Sequence, residues 1–251
     1  MKEREEYLVV IPYLAQAAQG KELEYAIAGW RKHFKESFHI VVIGEGVPTI
    51  VGGDVEFIDS PRVPAIEGQY RQHLDYVNCF KEVHRRFPYT DGFIFVADDC
   101  YAVNDFDIHD VKFLKMLEPE FNCEQDTPNL WRQDKLKTKR VLTVGGWPVR
   151  NFTTHLPIWF EWDKIEELWE TYDMAHNSLV VEDMYFNIYY PNRVPFKVDS
   201  ATDNLKLGIY TTRPDESEIR RAFKEKIWIT NSPDGWQPAL WKRLEEYYGR
   251  P

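Results

Sequence analysis

Apolar runs alternate with helical periodicity along the first hundred residues, and this alternation constrains the fold more than any other feature. Near-continuous apolar runs occur at residues 7–11, 40–43, 55–58 and 93–97. Runs of this length that are apolar at successive positions predict strands buried on both faces, as in a sheet covered by helices on both sides. Such sheets are usually parallel.

Two segments between these runs have the periodicity of helices. Their apolar residues recur every three or four positions, at Leu23, Ile27, Trp30 and Phe34 in the first segment and at Tyr70, Leu74, Val77, Val83 and Phe87 in the second. This spacing gives each helix an apolar stripe. The order strand, helix, strand, strand, helix, strand predicts an α/β domain with a mainly parallel central sheet flanked by helices.

The second half of the chain is less regular and rich in aromatic residues. Segment 118–140 is polar, contains Pro119 and Pro128 and ends in a basic run, which predicts a mobile loop whose cations either contact an anionic ligand or are merely solvated. A strand is predicted at 141–144, and helices are predicted near 165–172, 181–190, 219–223 and 238–249. Because the chain has no internal repeat or convincing linker, residues 1–251 are expected to form one domain.

Charge and cysteine content exclude several classes of protein. The chain has 31 basic and 41 acidic residues, a formal net charge of −10, which argues against binding nucleic acid, since phosphate neutralisation needs a concentrated basic face. Three cysteines without a CxxC pair indicate a reducing compartment rather than a disulfide framework. No apolar run is long enough for a transmembrane segment, and the acidic start is unlike a signal peptide. We therefore expect a cytoplasmic protein.

Two adjacent carboxylates, Asp98 and Asp99, follow the buried run at 93–97. Ligands of open α/β sheets bind beyond the carboxyl ends of the strands, and Mg²⁺ or Mn²⁺ takes one or two carboxylates together with phosphate oxygens. Asp99 is the expected metal ligand, and Asp98 is expected to accept hydrogen bonds from a ribose or another donor. The alternative is an ordinary strand-end turn. Since a GxxxxGK[ST] loop is absent, a nucleotide would be held through a metal and side chains.

Two further candidate sites lie in the second half. His155 precedes Leu156-Pro157, and a neutral imidazole there either completes a metal shell or is a structural residue. Glu182 and Asp183 open a predicted helix, where acidic side chains also suit the positive end of the helix dipole. The functional alternative is that one of these carboxylates removes a proton from an acceptor hydroxyl. Asp183 is the first choice for this base, and Glu182 is the second.

In combination, these stretches resemble glycosyltransferases of the GT-A fold. Within that group, the sequence is similar to the Stealth-type capsular polysaccharide transferases. It rests on residues 40–48, on 93–103 with its Asp-Asp pair, and on 155–157 with the helix behind them. Residues 7–13 resemble the first strand and the nucleotide-side loop of the fold, which implies that Pro12 and Tyr13 contact the nucleotide. The Glu182-Asp183 pair resembles the acidic pair of many inverting members.

The resemblance implies a metal-dependent glycosyltransferase that uses Mn²⁺ or Mg²⁺ and moves a sugar from a nucleotide-diphosphate sugar to a carbohydrate or glycolipid acceptor, with inversion. Residues 1–105 would form its nucleotide- and metal-binding half, and residues 106–251 its acceptor-side half. The metal motif has Ala97 where the family has an acid. Two alternatives therefore stay open, a sugar-1-phosphate or nucleotidyl transferase of related fold and a non-catalytic carbohydrate-binding protein.

Overall fold

The computed structural model describes residues 6–50, 52–121, 128–210 and 214–250. In chain order its elements are β1 (Tyr7–Leu14), α1 (Glu22–His33), β2 (Phe38–Glu45), β3 (Val55–Asp59), α2 (Arg71–Arg86), β4 (Gly92–Phe95), β5 (Cys100–Ala102), α3 (Ile108–Lys112), β6 (Lys115–Met116), α4 (Leu130–Val144), β7 (Ile158–Glu161), α5 (Trp162–Thr171), α6 (Val181–Tyr189), β8 (Phe196–Lys197), β9 (Lys206–Ile209), α7 (Glu216–Glu225), β10 (Trp228–Asn231), a 3₁₀ turn (Pro233–Gly235) and α8 (Pro238–Tyr248).

The central sheet has five strands in the order β3-β2-β1-β4-β7. The first four are parallel, and β7 pairs antiparallel with β4 at one edge. The four apolar runs of the sequence form these parallel strands, and the residues at 8–11 and 40–43 are buried. The prediction of a mainly parallel sheet flanked by helices is confirmed, because strands buried on both faces need a helical cover on each side.

Helices cover both faces of this sheet, and the side chains of β1 point alternately to one face and to the other. Val9 and Ile11 pack on one side with Ile27 and Trp30 of α1. Leu8 and Val10 point to the opposite face, where they belong to the core that contains α2, α5 and α6. The two helices predicted in the first hundred residues are thus confirmed, and they lie on opposite faces.

A smaller three-stranded sheet, in the order β5-β10-β9, was not predicted from the sequence. Each of its strands is only three or four residues long, too short for a periodicity to be recognised. It packs with α7 and α8 around a separate apolar core that includes Tyr101, Ile219, Phe223 and Leu240. A two-residue parallel ladder joins β6 and β8.

The predictions of a mobile loop over 118–140 and a strand over 141–144 were wrong over residues 130–144. Both segments contribute to α4, which begins after Asn129, whose side chain accepts a hydrogen bond from the backbone N–H of Arg132 at 3.1 Å. The pattern misled because α4 buries polar and charged side chains, including Asp134 and Lys135, instead of an apolar stripe. Residues 122–127 lie outside the described residues.

Cys79 and Cys100 are free thiols, and Cys123 lies outside the described residues. Within the described ranges, every helix is too short or too polar to cross a lipid bilayer.

Candidate active site

A cavity of about 160 Å³ lies beyond the carboxyl end of β4, where Phe95 and Ala97 form part of its wall. The rest of the wall comes from the start of α2, from α4, from the segment 152–158 and from the first turn of α6. Its polar groups include His73, His155 and Glu182, and its rings include Tyr70, Tyr76 and Trp131. Apolar walls with a few converging polar groups are typical of small-molecule sites.

Glu182, in the first turn of α6, is the acidic residue that lines this cavity. Its side chain is half-buried, and none of the basic side chains in the described ranges forms an ion pair with it. Burial raises the pKa of Glu182, and the neighbouring charge of Asp183 adds to this effect, while a hydrogen bond from its own backbone N–H and the charge of Lys135 oppose it. Glu182 is therefore a carboxylate at the edge of open space that forms no ion pair with any described residue.

Asp183 has the opposite environment, although it is the next residue in the chain. Its side chain is fully buried, and its two oxygens have separate partners. Lys135 Nζ donates to Oδ2 at 2.5 Å, and the Phe152 backbone N–H donates to Oδ1 at 2.6 Å. Asp183 thus fastens α6 to α4 and to the segment that forms the cavity wall.

Lys135, the first cation of the basic run, is also a structural residue. Besides Asp183, its ammonium group donates to Asn151 Oδ1 at 2.8 Å and to Thr153 Oγ1 at 2.9 Å. Only 1% of its side chain is exposed. The expectation that the start of this run is solvated or clamps an anionic ligand is corrected by these contacts, because all of them are made within the fold.

Asp98 and Asp99 lie in the turn that links β4 to β5, immediately after the cavity residue Ala97. Burial and the nearby charge of Glu22 raise the pKa of Asp98 to about 7. Burial raises the pKa of Asp99 well above its usual range, and the charges of Asp98 and Glu22 add to this effect while Lys206 opposes it. Asp99 Oδ1 is buried and has no hydrogen-bond partner in the part of the chain that the structure describes. The two carboxylates are costly to ionise here unless a cation is close.

Glu22, at the start of α1, is a site residue that the sequence reasoning missed. It is buried, its Oε1 accepts from Asn231 Nδ2 at 2.7 Å, and its Oε2 accepts from the Gln19 N–H at 3.1 Å. In the sequence it is only a Glu in the first turn of a helix, where the helix dipole is enough to account for an acidic side chain. In the folded chain it adds a third carboxylate to the surroundings of the Asp-Asp turn.

His155 lines the cavity and keeps an exposed surface. Its backbone has a φ of 55°, in the left-handed region, which is uncommon outside glycine and is frequent at functional sites. Desolvation of the imidazole by the surrounding protein lowers the pKa of His155 to about 4, and the charges of Lys206 and Lys135 add to this effect. The imidazole is therefore neutral at pH 7, which is the form that binds metals.

Lys206 supports the backbone next to His155. Its buried ammonium group donates to the Thr154 carbonyl at 2.6 Å and to the Tyr210 hydroxyl at 2.8 Å. The same cation acts on the pKa of both His155 and Asp99. The Asp-Asp turn and the His155 segment are thus within electrostatic reach of one buried charge.

The residues proposed as metal ligands are only partly assembled. Over the described ranges, no three His, Cys, Asp or Glu side chains converge as a complete ligand set. A hard cation nevertheless needs only one or two protein carboxylates when phosphate oxygens and water supply the rest. The partnerless oxygen of Asp99 and the neutral ring of His155 fit such a cation.

Pro12 and Tyr13 lie at the carboxyl end of β1, where Tyr13 is in register with Gly44 of β2. Burial raises the pKa of Tyr13, and the charges of Glu24 and Asp98 add to this effect. Tyr13 is therefore close enough to the Asp-Asp turn for their charges to interact. This arrangement places the strand end resembling a nucleotide-side loop beside the candidate metal turn.

Tyr76 connects the two acidic parts of the site. Its ring lines the cavity and packs edge-on against Phe95 at 5.2 Å between centroids. Burial raises its pKa, and the charges of Glu182, Asp98 and Asp99 raise it further. One aromatic side chain therefore interacts with both the Asp-Asp turn and the free carboxylate of α6.

Comparisons with known proteins give structural but not sequence matches. No family model matches the chain. The search of curated proteins also gives no match.

Three solved structures illustrate the structural likeness. A glycosyltransferase involved in the glycosylation of the major capsid of PBCV-1 is 11% identical, with a TM-score of 0.43 over 98% of this chain and 100% of that one. The galactosyltransferase LgtC in complex with donor and acceptor sugar analogues is 11% identical, with a TM-score of 0.45 over 96% and 95%. The glycosyltransferase GlyE of Streptococcus pneumoniae TIGR4 is 11% identical, with a TM-score of 0.47 over 98% and 61%. All three are glycosyltransferases, the class that the sequence resembles.

Proposed function

We propose that this protein is a glycosyltransferase that moves a sugar from a nucleotide-diphosphate sugar to a hydroxyl acceptor. The observation that carries the proposal is the position of Glu182. This carboxylate, which forms no ion pair within the described ranges, lines the same cavity as Ala97, the residue directly before the Asp-Asp turn. A free base and a candidate diphosphate site beside one ring-lined cavity are the parts that sugar transfer requires.

In the proposed reaction, Glu182 takes the proton of the acceptor hydroxyl. The acceptor oxygen attacks the anomeric carbon as the bond from that carbon to the diphosphate breaks, and the diphosphate leaves with the electron pair. Attack opposite the leaving group inverts the anomeric configuration. We assign the base to Glu182 rather than Asp183, because Lys135 and the Phe152 N–H occupy both oxygens of Asp183.

On the donor side, we propose that Pro12, Tyr13 and Asp98 contact the nucleotide and that Asp99 and His155 hold Mn²⁺ or Mg²⁺. The partnerless Asp99 oxygen and the low pKa of His155 support this assignment. When bound, such a cation stabilises the negative charge of the departing diphosphate. Residues 1–105 then form the donor half of one domain.

Residues 106–251 form the acceptor half, and the acceptor is proposed to be a carbohydrate or glycolipid. Trp131 at the cavity offers an aromatic face of the kind on which sugar C–H groups pack. The net charge of −10 argues against a nucleic-acid partner. The cysteine pattern supports a cytoplasmic location.

Release of nucleotide from a panel of nucleotide sugars tests the proposal, with Mn²⁺, with Mg²⁺ and with EDTA. We expect nucleoside diphosphate from at least one donor in the presence of metal, and far less from Glu182→Gln. Nucleoside monophosphate would instead favour sugar-1-phosphate or nucleotidyl transfer. Sugar binding without turnover and without sensitivity to EDTA would favour the non-catalytic alternative.

A further inference from the structure

A buried histidine–aspartate pair has one member, His73, in the cavity wall, and the pair has no role in the proposed reaction. His73 Nδ1 lies 2.7 Å from Asp134 Oδ2, between the first turn of α2 and α4. The exposed fraction of the side chain is 5% for His73 and 2% for Asp134. His73 lines the same cavity as Glu182.

The contacts of Asp134 determine which ring nitrogen of His73 carries the proton. The Ser178 hydroxyl donates to Oδ1 at 2.7 Å, and the Tyr70 backbone N–H donates to Oδ2 at 3.3 Å. Asp134 is thus surrounded by donors and acts as an acceptor, the role of an ionised carboxylate. In the neutral imidazole, His73 therefore donates through Nδ1–H, which leaves Nε2 as a lone-pair acceptor.

The ring edge opposite Asp134 carries the second nitrogen, Nε2. Nδ1 faces Asp134, so Nε2 is on the opposite edge of an imidazole that borders the cavity. Throughout the described ranges, no group of the protein forms a hydrogen bond with Nε2. The fold thus orients a buried histidine with one carboxylate and leaves its acceptor nitrogen without a partner.

We infer that His73 is a substrate-binding residue whose Nε2 accepts a hydrogen bond from a hydroxyl group of the sugar in this cavity, and that Asp134 is the positioning residue that holds the neutral ring in the tautomer with Nε2 as the acceptor. This inference rests on the proposed function for the identity of the sugar substrate, but it gives His73 a role separate from the base Glu182. A buried acceptor of this kind selects for ligands that donate, because a ligand without the hydroxyl leaves Nε2 unpaired.

The protonation of Nε2 is measured by ¹⁵N NMR on histidine-labelled protein, with the His73 signals assigned by their loss in His73→Gln. We expect an unprotonated Nε2 in the wild type and in the control Ser178→Ala, which keeps the contact between His73 and Asp134. In Asp134→Asn, the amide donates to Nδ1 and the proton moves to Nε2. Addition of UDP-glucose, UDP-galactose, UDP-N-acetylglucosamine or GDP-mannose with Mg²⁺ should shift the wild-type Nε2 signal for at least one donor.

The kinetic test uses release of nucleoside diphosphate from the donor that shifts the signal. Asp134→Asn and His73→Leu should raise KM by roughly tenfold, the effect of one lost hydrogen bond, and change kcat far less. His73→Gln places an amide oxygen near the position of Nε2 and should largely restore KM. A structural role would not produce this split between KM and kcat or this rescue by Gln.

The outcomes for the two proposals are separable. An Nε2 signal that no donor moves overturns the inference, whether or not the wild type turns the donor over. An unchanged KM in both Asp134→Asn and His73→Leu also overturns the inference. If Asp134→Asn fails to fold, the KM of His73→Leu alone decides this test. A shifted Nε2 signal without any nucleotide release supports the inference and contradicts the proposed transferase function.

Discussion

The ammonium group of Lys135 and the carboxylate of Asp183 form a 2.5 Å ion pair between α4 and the first turn of α6, and both side chains are shielded from solvent. Asn151 and Thr153 satisfy the remaining donors of Lys135. This pair holds the helix that carries Glu182 against the wall of the cavity. Its role is therefore positional, and its loss should affect stability before chemistry.

Lys135→Met should lower the free energy of unfolding by about 3–5 kcal/mol, because it leaves the Asp183 charge buried without its partner. Urea denaturation measures this change. The matched control is Lys139→Met on the same helix, which breaks the more exposed pair with Glu120 and should cost at most about 1 kcal/mol. Equal losses in the two variants would contradict the structural role of Lys135.

Glu182→Gln should reduce the rate of sugar transfer by about a hundredfold to ten-thousandfold, since a positioned general base contributes this much to the rate. Donor affinity, measured by calorimetric titration with Mn²⁺, should stay close to that of the wild type because the base acts on the acceptor. Asp183→Asn, assayed at a temperature where it remains folded, serves as the comparison and should retain more activity. The reverse order would return the base to Asp183.

The dependence of kcat on pH should reflect the raised pKa of Glu182. A general base acts only when deprotonated, so kcat should fall as the pH drops through this pKa, at a pH above the ordinary glutamate value of 4.5. Measurements of kcat between pH 4 and pH 8 would show this fall in rate. The residual activity of Glu182→Gln should not show this fall in kcat at low pH. The same fall in that variant would assign the titration to another group.

Stability should decrease as the pH rises from 4 to 8 in the metal-free protein, in part because of Asp98. Its pKa is 3.8 without perturbation and about 7 in the fold, so the folded state binds more protons than the unfolded state between these values. Asp98→Asn should remove this penalty and stabilise the protein by on the order of 1–4 kcal/mol at pH 8, with little effect at pH 4. Denaturation at both pH values measures the difference. A variant no more stable than wild type at pH 8 would refute it.

Gly44→Ala should destabilise the end of the central sheet near the candidate nucleotide loop. A Cβ at Gly44 would lie 1.8 Å from the carbonyl oxygen of Tyr13, and its φ is +152°. We expect a loss of at least ~2 kcal/mol in thermal or urea unfolding. Gly53→Ala is the control, because its φ of +67° is also positive but no atom lies within 4 Å of the added carbon. Its cost should be about 1 kcal/mol.

The parallel sheet and its two flanking helices were predictable because their signals are local. A strand such as β2 is apolar at successive positions, and the stripe of α1 recurs within twelve residues. Hydrophobic burial acts on these patterns in almost any compact arrangement of the chain. The helix α4 was not predictable in this way, since its buried Asp134 and Lys135 are stabilised by partners distant in sequence.

The same distinction between local and long-range interactions applies to the candidate site. The sequence by itself determined that carboxylates follow a buried strand at Asp98-Asp99 and that Glu182 and Asp183 begin a helix, because both statements depend on neighbouring residues. It could not determine which of Glu182 and Asp183 is free, since adjacent helical residues point in different directions. Only the tertiary structure decided this. It brings Lys135, 48 residues away, into contact with Asp183 and leaves Glu182 beside the cavity, because an ion pair buried between two helices forms only when those helices pack.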